Sequence, residues 1–106
     1  MIDIKVIDDI TDRIAKFLKP DKIILFGSYA YGTPSEDSDI DFFVIKDSDI
    51  PRPERSISLR KVLFGTMLPM DIIVYTNDEV NKSMDSKNGF VYQVMTKGRV
   101  LYERES

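Results

Sequence analysis

The chain contains no cysteine and no histidine, and these two absences remove most of the common catalytic apparatus. Without cysteine there is no disulfide framework, no thiolate zinc site and no cysteine nucleophile. Without histidine there is no Ser-His-Asp triad, no imidazole-ligated metal and no imidazole acid–base catalysis. Any chemistry must be carried by carboxylates, hydroxyls, lysines, arginines or backbone amides. Long hydrophobic runs are also missing. None approaches the roughly 20 apolar residues that span a bilayer, so no membrane association is expected. The opening residues Met1-Ile2-Asp3-Ile4-Lys5 lack a basic stretch followed by an apolar one, so no secretory signal is read there and a cytoplasmic location is expected. Positive charge is not in excess either. Lysine plus arginine number 15 against 18 for aspartate plus glutamate, a net charge of −3. A slightly acidic chain has no basic surface for sequence-independent nucleic-acid binding, and none is expected.

What is present reads as one domain over residues 1–106, large enough for a modest core. Residues 3 to 19 carry Val6, Ile7, Ile10, Ile14, Phe17 and Leu18 at the three-four spacing of one helical face, with Asp3 as N-cap and Pro20 as terminator. Lys22 to Phe26 is a short apolar run and reads as a buried strand, followed by a break at Gly27-Ser28 into a short helix. A polar loop leads to a second strand, Asp39 to Ile45. After Pro51 and Pro53, a helix of about a dozen residues is predicted from Glu54, with Ile57, Val62, Leu63 and Met67 inward. Its Arg52, Arg55, Arg60 and Lys61 read as a basic, solvated face. Met70 to Tyr75 is the third strand, and Thr76-Asn77-Asp78-Glu79 has the form of a capping box opening a helix near Val80 and Met84. A last helix over about 87–97 places Phe90, Val91, Val94 and Met95 inward and stops at Gly98, before a strand at Arg99–Tyr102. The order α-β-(α)-β-α-β-α-α-β describes a small α/β sandwich, a sheet covered by helices.

Two features of this chain carry chemistry. Gly27-Ser28 directly follows a buried strand, where glycine lets a ligand approach the backbone and serine adds a hydroxyl; such a turn suits a phosphate. It is not a P-loop, because G-x-x-x-x-G-K-[ST] is absent. Ten residues later comes Asp39-Ile40-Asp41. Alternation along a strand puts Asp39 and Asp41 on one face, their Cα atoms about 6.6 Å apart. Asp71 heads the third strand in the same way, and if the two strands are neighbours all three carboxylates meet at one rim of the sheet. At about 5 Å and an effective dielectric near 20, each such pair repels by roughly 3 kcal/mol, so a cation is called for. Oxygen-only ligands suit Mg²⁺ or Mn²⁺, and two such ions serve phosphoryl or nucleotidyl displacement.

Gly27-Ser28-Tyr29-Ala30-Tyr31-Gly32, Asp39-Ile40-Asp41 and Asp71 together resemble the G-S-x-A-x-G, D-x-D and third-carboxylate pattern of the DNA polymerase beta-type nucleotidyltransferases. More narrowly, the chain is similar to the minimal nucleotidyltransferases, small antitoxins encoded beside a HEPN-domain toxin. The resemblance extends to the closing Lys97-Gly98-Arg99-Val100-Leu101-Tyr102-Glu103. It implies an α/β (α+β) nucleotidyltransferase fold, a small mixed sheet flanked by helices. It also implies transfer of AMP from ATP to a hydroxyl, a tyrosine of the HEPN-type toxin. Asp39 and Asp41 would hold both metal ions, Asp71 the second, with Asp71 also deprotonating the acceptor and Gly27 and Ser28 gripping the β- and γ-phosphates. The chain leaves no room for a separate acceptor domain, so the acceptor is expected on another molecule. Relatives often carry arginine where this chain has Tyr31. Two other readings stay open on the residues: an antitoxin that neutralises its partner by binding alone, and a transferase acting on a small antibiotic-type molecule.

Overall fold

The protein is described by a computed structural model covering residues 3–32, 34, 38–66 and 68–105. Four strands, β1 (Lys22–Phe26), β2 (Ile40–Ile45), β3 (Met70–Tyr75) and β4 (Arg99–Glu103), form one sheet in the order β3-β2-β1-β4. β1 runs antiparallel to both β2 and β4, while β2 and β3 are parallel. The sheet is therefore mixed. The parallel pair aligns the heads of β2 and β3, and the antiparallel pair brings the tail of β1 to the same end.

Strand alternation divides the core into two layers. On one face Ile23, Leu25, Ile40, Phe42, Val44, Ile72 and Val74 pack against α1 (Ile4–Leu18) and α3 (Ile57–Val62). On the other, Ile24, Phe43 and Ile45 meet Val80 of α4 (Asn77–Ser83) and Val91 and Val94 of α5 (Phe90–Lys97). Phe42 and Phe43, adjacent in sequence and both fully buried, anchor opposite faces. Each such side chain contributes on the order of 2–3 kcal/mol by leaving water. Gly98 ends α5 with extended backbone angles. Its need for glycine is one of space, since a Cβ there would stand 2.5 Å from both Ile24 Cγ2 and the Val94 carbonyl.

α1 is capped by Asp3, whose carboxylate accepts from the Lys5 amide. Its buried stripe is Ile7, Ile10, Thr11 and Ile14, narrower than the sequence predicts. Val6 and Phe17, read as inward, are 37% and 48% exposed. Both lie roughly 80–100° around the helix from the stripe's centre, too far to reach the sheet. The predicted twelve-residue helix after Pro53 also differs. A 3₁₀ turn at Arg52–Glu54 precedes a six-residue α3, which begins only at Ile57 and ends at Val62. Its core residues are Leu59 and Leu63, while Ile57 is 47% exposed; Met67 lies outside the described residues.

The basic cluster likewise divides. Arg55, its side chain only 9% exposed, pairs with both carboxylate oxygens of Glu79 and donates Nε–H to the Ile50 carbonyl at 2.7 Å and Nη1–H to the Val74 carbonyl at 3.2 Å. Arg52 reaches Glu79 at 3.2 Å and lies 4.2 Å over the Tyr75 ring. Glu79 also closes the capping box of α4, accepting from the Thr76 amide while Thr76 Oγ1 accepts from its own amide. The Arg55 hydrogen bond, ahead of the other partners, lowers the Glu79 carboxyl from 4.5 to about 2. The unfolded chain therefore binds this proton more readily than the folded one. The resulting stability is present above the ordinary carboxylate range and is lost as pH falls through about 2. Arg55→Ala is expected to cost about 2–3 kcal/mol at neutral pH by removing the main partner of a largely buried carboxylate and leaving it only Arg52 and the Thr76 amide. Urea melts at pH 7 and pH 3 check this, the penalty shrinking at the lower pH.

No helix among the described residues is long and apolar enough to cross a membrane. A concavity of about 770 Å³ lies at the far end of the strands from the aspartates, between the start of β1 and the end of β2. Four of its charged residues form Lys22–Glu103 and Arg104–Asp21 pairs, both at 2.9 Å. Size therefore does not locate the chemistry here.

Candidate active site

The end of the sheet where β1 stops and β2 and β3 start gathers the predicted residues. β1 closes at Phe26, and Gly27 then takes φ +76° and ψ −162°, a combination open essentially to glycine alone. This turn reverses the chain into α2 (Ser28–Tyr31), whose first carbonyl bonds run from the Ala30 and Tyr31 amides to the Gly27 oxygen at 3.0 and 3.1 Å. A second glycine, Gly32, caps the helix. Tyr31 is exposed at the end of α2, and Tyr29 packs against the core.

Register sets the carboxylates. Asp41 stands opposite Phe26 on β1 and opposite Asp71 on β3. Adjacent strands lie about 4.8 Å apart, so Asp41 and Asp71 are neighbours across the parallel pair, on the face that also carries Phe43 and Ile73. Asp39 precedes β2 and is exposed. Burial first, then the charges of Asp71 and Asp39, push the Asp41 carboxyl above its ordinary value. Asp41 thus feels the charge of both other aspartates. The same carboxylate touches the glycine turn: a Cβ on Gly27 would overlap the Asp41 Oδ2 position, at 2.2 Å. The absent side chain of Gly27 is what leaves room for Asp41.

Asp71 is paired. Arg60 of α3 reaches past edge strand β3 to place Nη2 at 3.2 Å from Asp71 Oδ1, both side chains about half exposed. Sequence reasoning placed Arg60 in a basic face but did not find this bond. Its signal is present only in the tertiary register that sets α3 beside β3. Phe90 is the second residue missed. Read as inward, it is 45% exposed, although its ring edge contacts Phe26 with centroids 5.4 Å apart and Phe43 at 6.1 Å.

Whether this rim suits a divalent cation can be tested on its donors. They are all carboxylate oxygens, the set that hard divalent ions prefer. The Asp41 carboxyl is raised first by burial and then by the charges of Asp71 and Asp39, and a cation would offset both. Among the described residues no three acidic side chains close on one point, and Arg60 now neutralises one member of the set. The donor chemistry fits, with Arg60 serving as the resident counter-ion.

Comparison with known proteins gives the family of the chain. Residues 8–106 match the family model described as polymerase beta, nucleotidyltransferase. A protein of Methanocaldococcus jannaschii named as a candidate protein adenylyltransferase is 39% identical over 82 residues, covering 76% of this chain and 77% of the relative. A second protein of the same organism, named in the same way, is 33% identical over 90 residues, 79% of this chain and 59% of that relative. Among solved structures, a candidate nucleotidyltransferase from Sulfolobus solfataricus superposes with TM-score 0.67 at 20% identity, over 96% of this chain and 81% of that one. A chain of the toxin–antitoxin MntA-HpeT, crystallised as a mutant, superposes with TM-score 0.63 at 21% identity, over 92% and 73% respectively. The two structures share the fold.

Proposed function

We propose, from the premise that this chain belongs to the polymerase beta-type nucleotidyltransferases, that its single domain transfers AMP from ATP to a hydroxyl of another protein, a tyrosine of a HEPN-type toxin, as the antitoxin of the pair. The observation that carries the reading is the registered Asp41–Asp71 pair with the Gly27 turn against Asp41. The protein-acceptor part leans on the relatives named as adenylyltransferases of proteins, and the toxin partner on the toxin–antitoxin neighbour.

In this reading Asp39, Asp41 and Asp71 hold Mg²⁺, with Mn²⁺ able to replace it. When bound, the ions supply charge neutralisation at the triphosphate and activation of the attacking oxygen. The chain's own residues do the rest. Gly27 and Ser28 hold the β- and γ-phosphates against the start of α2. Asp71 takes the proton of the acceptor hydroxyl as its oxygen bonds to the α-phosphorus. The bond from that phosphorus to the bridging β-phosphate oxygen breaks, and pyrophosphate leaves. Arg60 has to give up Asp71 for this role. An exposed pair contributes only about 0–1 kcal/mol, so the exchange is cheap.

Incubation with the product of the neighbouring reading frame, ATP and Mg²⁺, followed by intact-mass measurement, tests the acceptor. One added AMP located on a tyrosine is expected. An unmodified partner that the protein nevertheless neutralises would replace the enzyme reading with neutralisation by contact.

A further inference from the structure

An aromatic ring stands exposed beside the carboxylate rim, and the mechanism above leaves it unused. Phe26 is the cross-strand partner of Asp41, and Phe43 lies two residues beyond Asp41 on the same face of β2. Phe90, the first residue of α5, rests on both, edge to face at 5.4 and 6.1 Å. Its inner edge is thus fixed by two aromatic neighbours while nearly half of it faces solvent. An exposed phenylalanine locked in this way presents a flat surface at little further entropic cost.

Distance selects the ligand. Phe26 is one strand spacing from Asp41, about 5 Å, and Phe43 two residues along it, about 7 Å. Phe90, resting on both rings, therefore stands on the same face of the sheet as the carboxylates and one residue layer out from them. A group joined to the triphosphate through a ribose would come to lie against it. We propose that Phe90 is the nucleobase platform of this protein: the base of the bound nucleotide stacks on its exposed side while the phosphates lie at Gly27 and the aspartates. The inference rests on the nucleotide site being at that rim, and does not depend on which acceptor is used.

A platform made by stacking tolerates any base, since every base has a π-face. The base preference of the enzyme is then expected to be shallow, ATP and GTP binding within several-fold of each other.

The chain has no tryptophan, so Phe90→Trp introduces a single reporter at the proposed contact. ATP is expected to quench its fluorescence on binding, and inorganic tripolyphosphate to bind without quenching. Phe90→Leu keeps an apolar side chain on Phe26 and Phe43 but removes the ring. It is expected to weaken ATP binding about 5- to 150-fold, the range for one base–aromatic stack, and to leave tripolyphosphate binding unchanged. Titration calorimetry with Mg²⁺ measures both, and circular dichroism confirms that the variant is folded. Equal ATP affinity in wild type and Phe90→Leu, or equal weakening for ATP and tripolyphosphate, overturns the platform while leaving the nucleotide site standing. A wild-type protein that binds neither ligand overturns the site itself.

Discussion

Replacing Asp39 and Asp41 together by asparagine is expected to reduce nucleotidyl transfer by at least on the order of 10³-fold, because it removes the charge that would gather cations at the rim. The same change should make the protein more stable. Asp41 faces Asp71 across the parallel strands and feels Asp39, and its carboxyl is raised by burial first and by those two charges after it. A folded-state value above the unfolded one means that the ionised group opposes folding at neutral pH, and increasingly so as pH rises out of the carboxylate range. Asparagine removes that opposition. A gain in stability, seen as a rise in Tm without added cation, is the expected result. With Mg²⁺ present the difference should narrow, since the cation relieves the wild type alone. A variant that is inactive and also less stable would mean that Asp41 is there to hold the fold.

Gly27→Ala should have the other large effect. The residue sits at φ +76° and ψ −162°, where a side chain costs about 1–3 kcal/mol. Its Cβ would also occupy the Asp41 Oδ2 position. The carboxylate must move, and a displacement on the scale of 1 Å at a reacting centre costs on the order of 10²-fold in rate. The total expected loss of stability is about 2–4 kcal/mol, measured by urea unfolding. A double-mutant cycle separates the two causes. In an Asp41→Gly background the overlap is gone, and Gly27→Ala should then cost only its backbone share. Full additivity would show that the contact between turn and carboxylate is not what requires glycine.

The parts of this structure legible in the sequence are those that local chemistry determines. The β1 boundaries follow from an apolar run closed by Asp21 and Gly27. The cap at Asp3 and the capping box at Thr76 and Glu79 are short-range hydrogen bonds, and both are present. Meeting of Asp41 and Asp71 was conditional on β2 and β3 being neighbours, and their parallel register meets that condition. What escaped was tertiary. Arg55 and Arg60 occupy the same short segment, yet one is sunk into Glu79 and the other reaches Asp71. Nothing in their spacing distinguishes these fates. Phe90 has the composition of a core residue and follows the helical pattern, but the two rings beneath it fill the layer and leave half of it outside.

Cleavage of ATP between its α- and β-phosphates at this rim, with the nucleotide passed to a protein, has a distinctive label pattern. Parallel incubations with ATP labelled at the α- or at the γ-phosphate, Mg²⁺ and the product of the neighbouring reading frame test it most directly. α-Label is expected on the partner and γ-label in released pyrophosphate, with neither product formed by Asp39→Asn/Asp41→Asn. Transfer of γ-label to the partner, or α-label transfer undiminished in the aspartate variant, would contradict it.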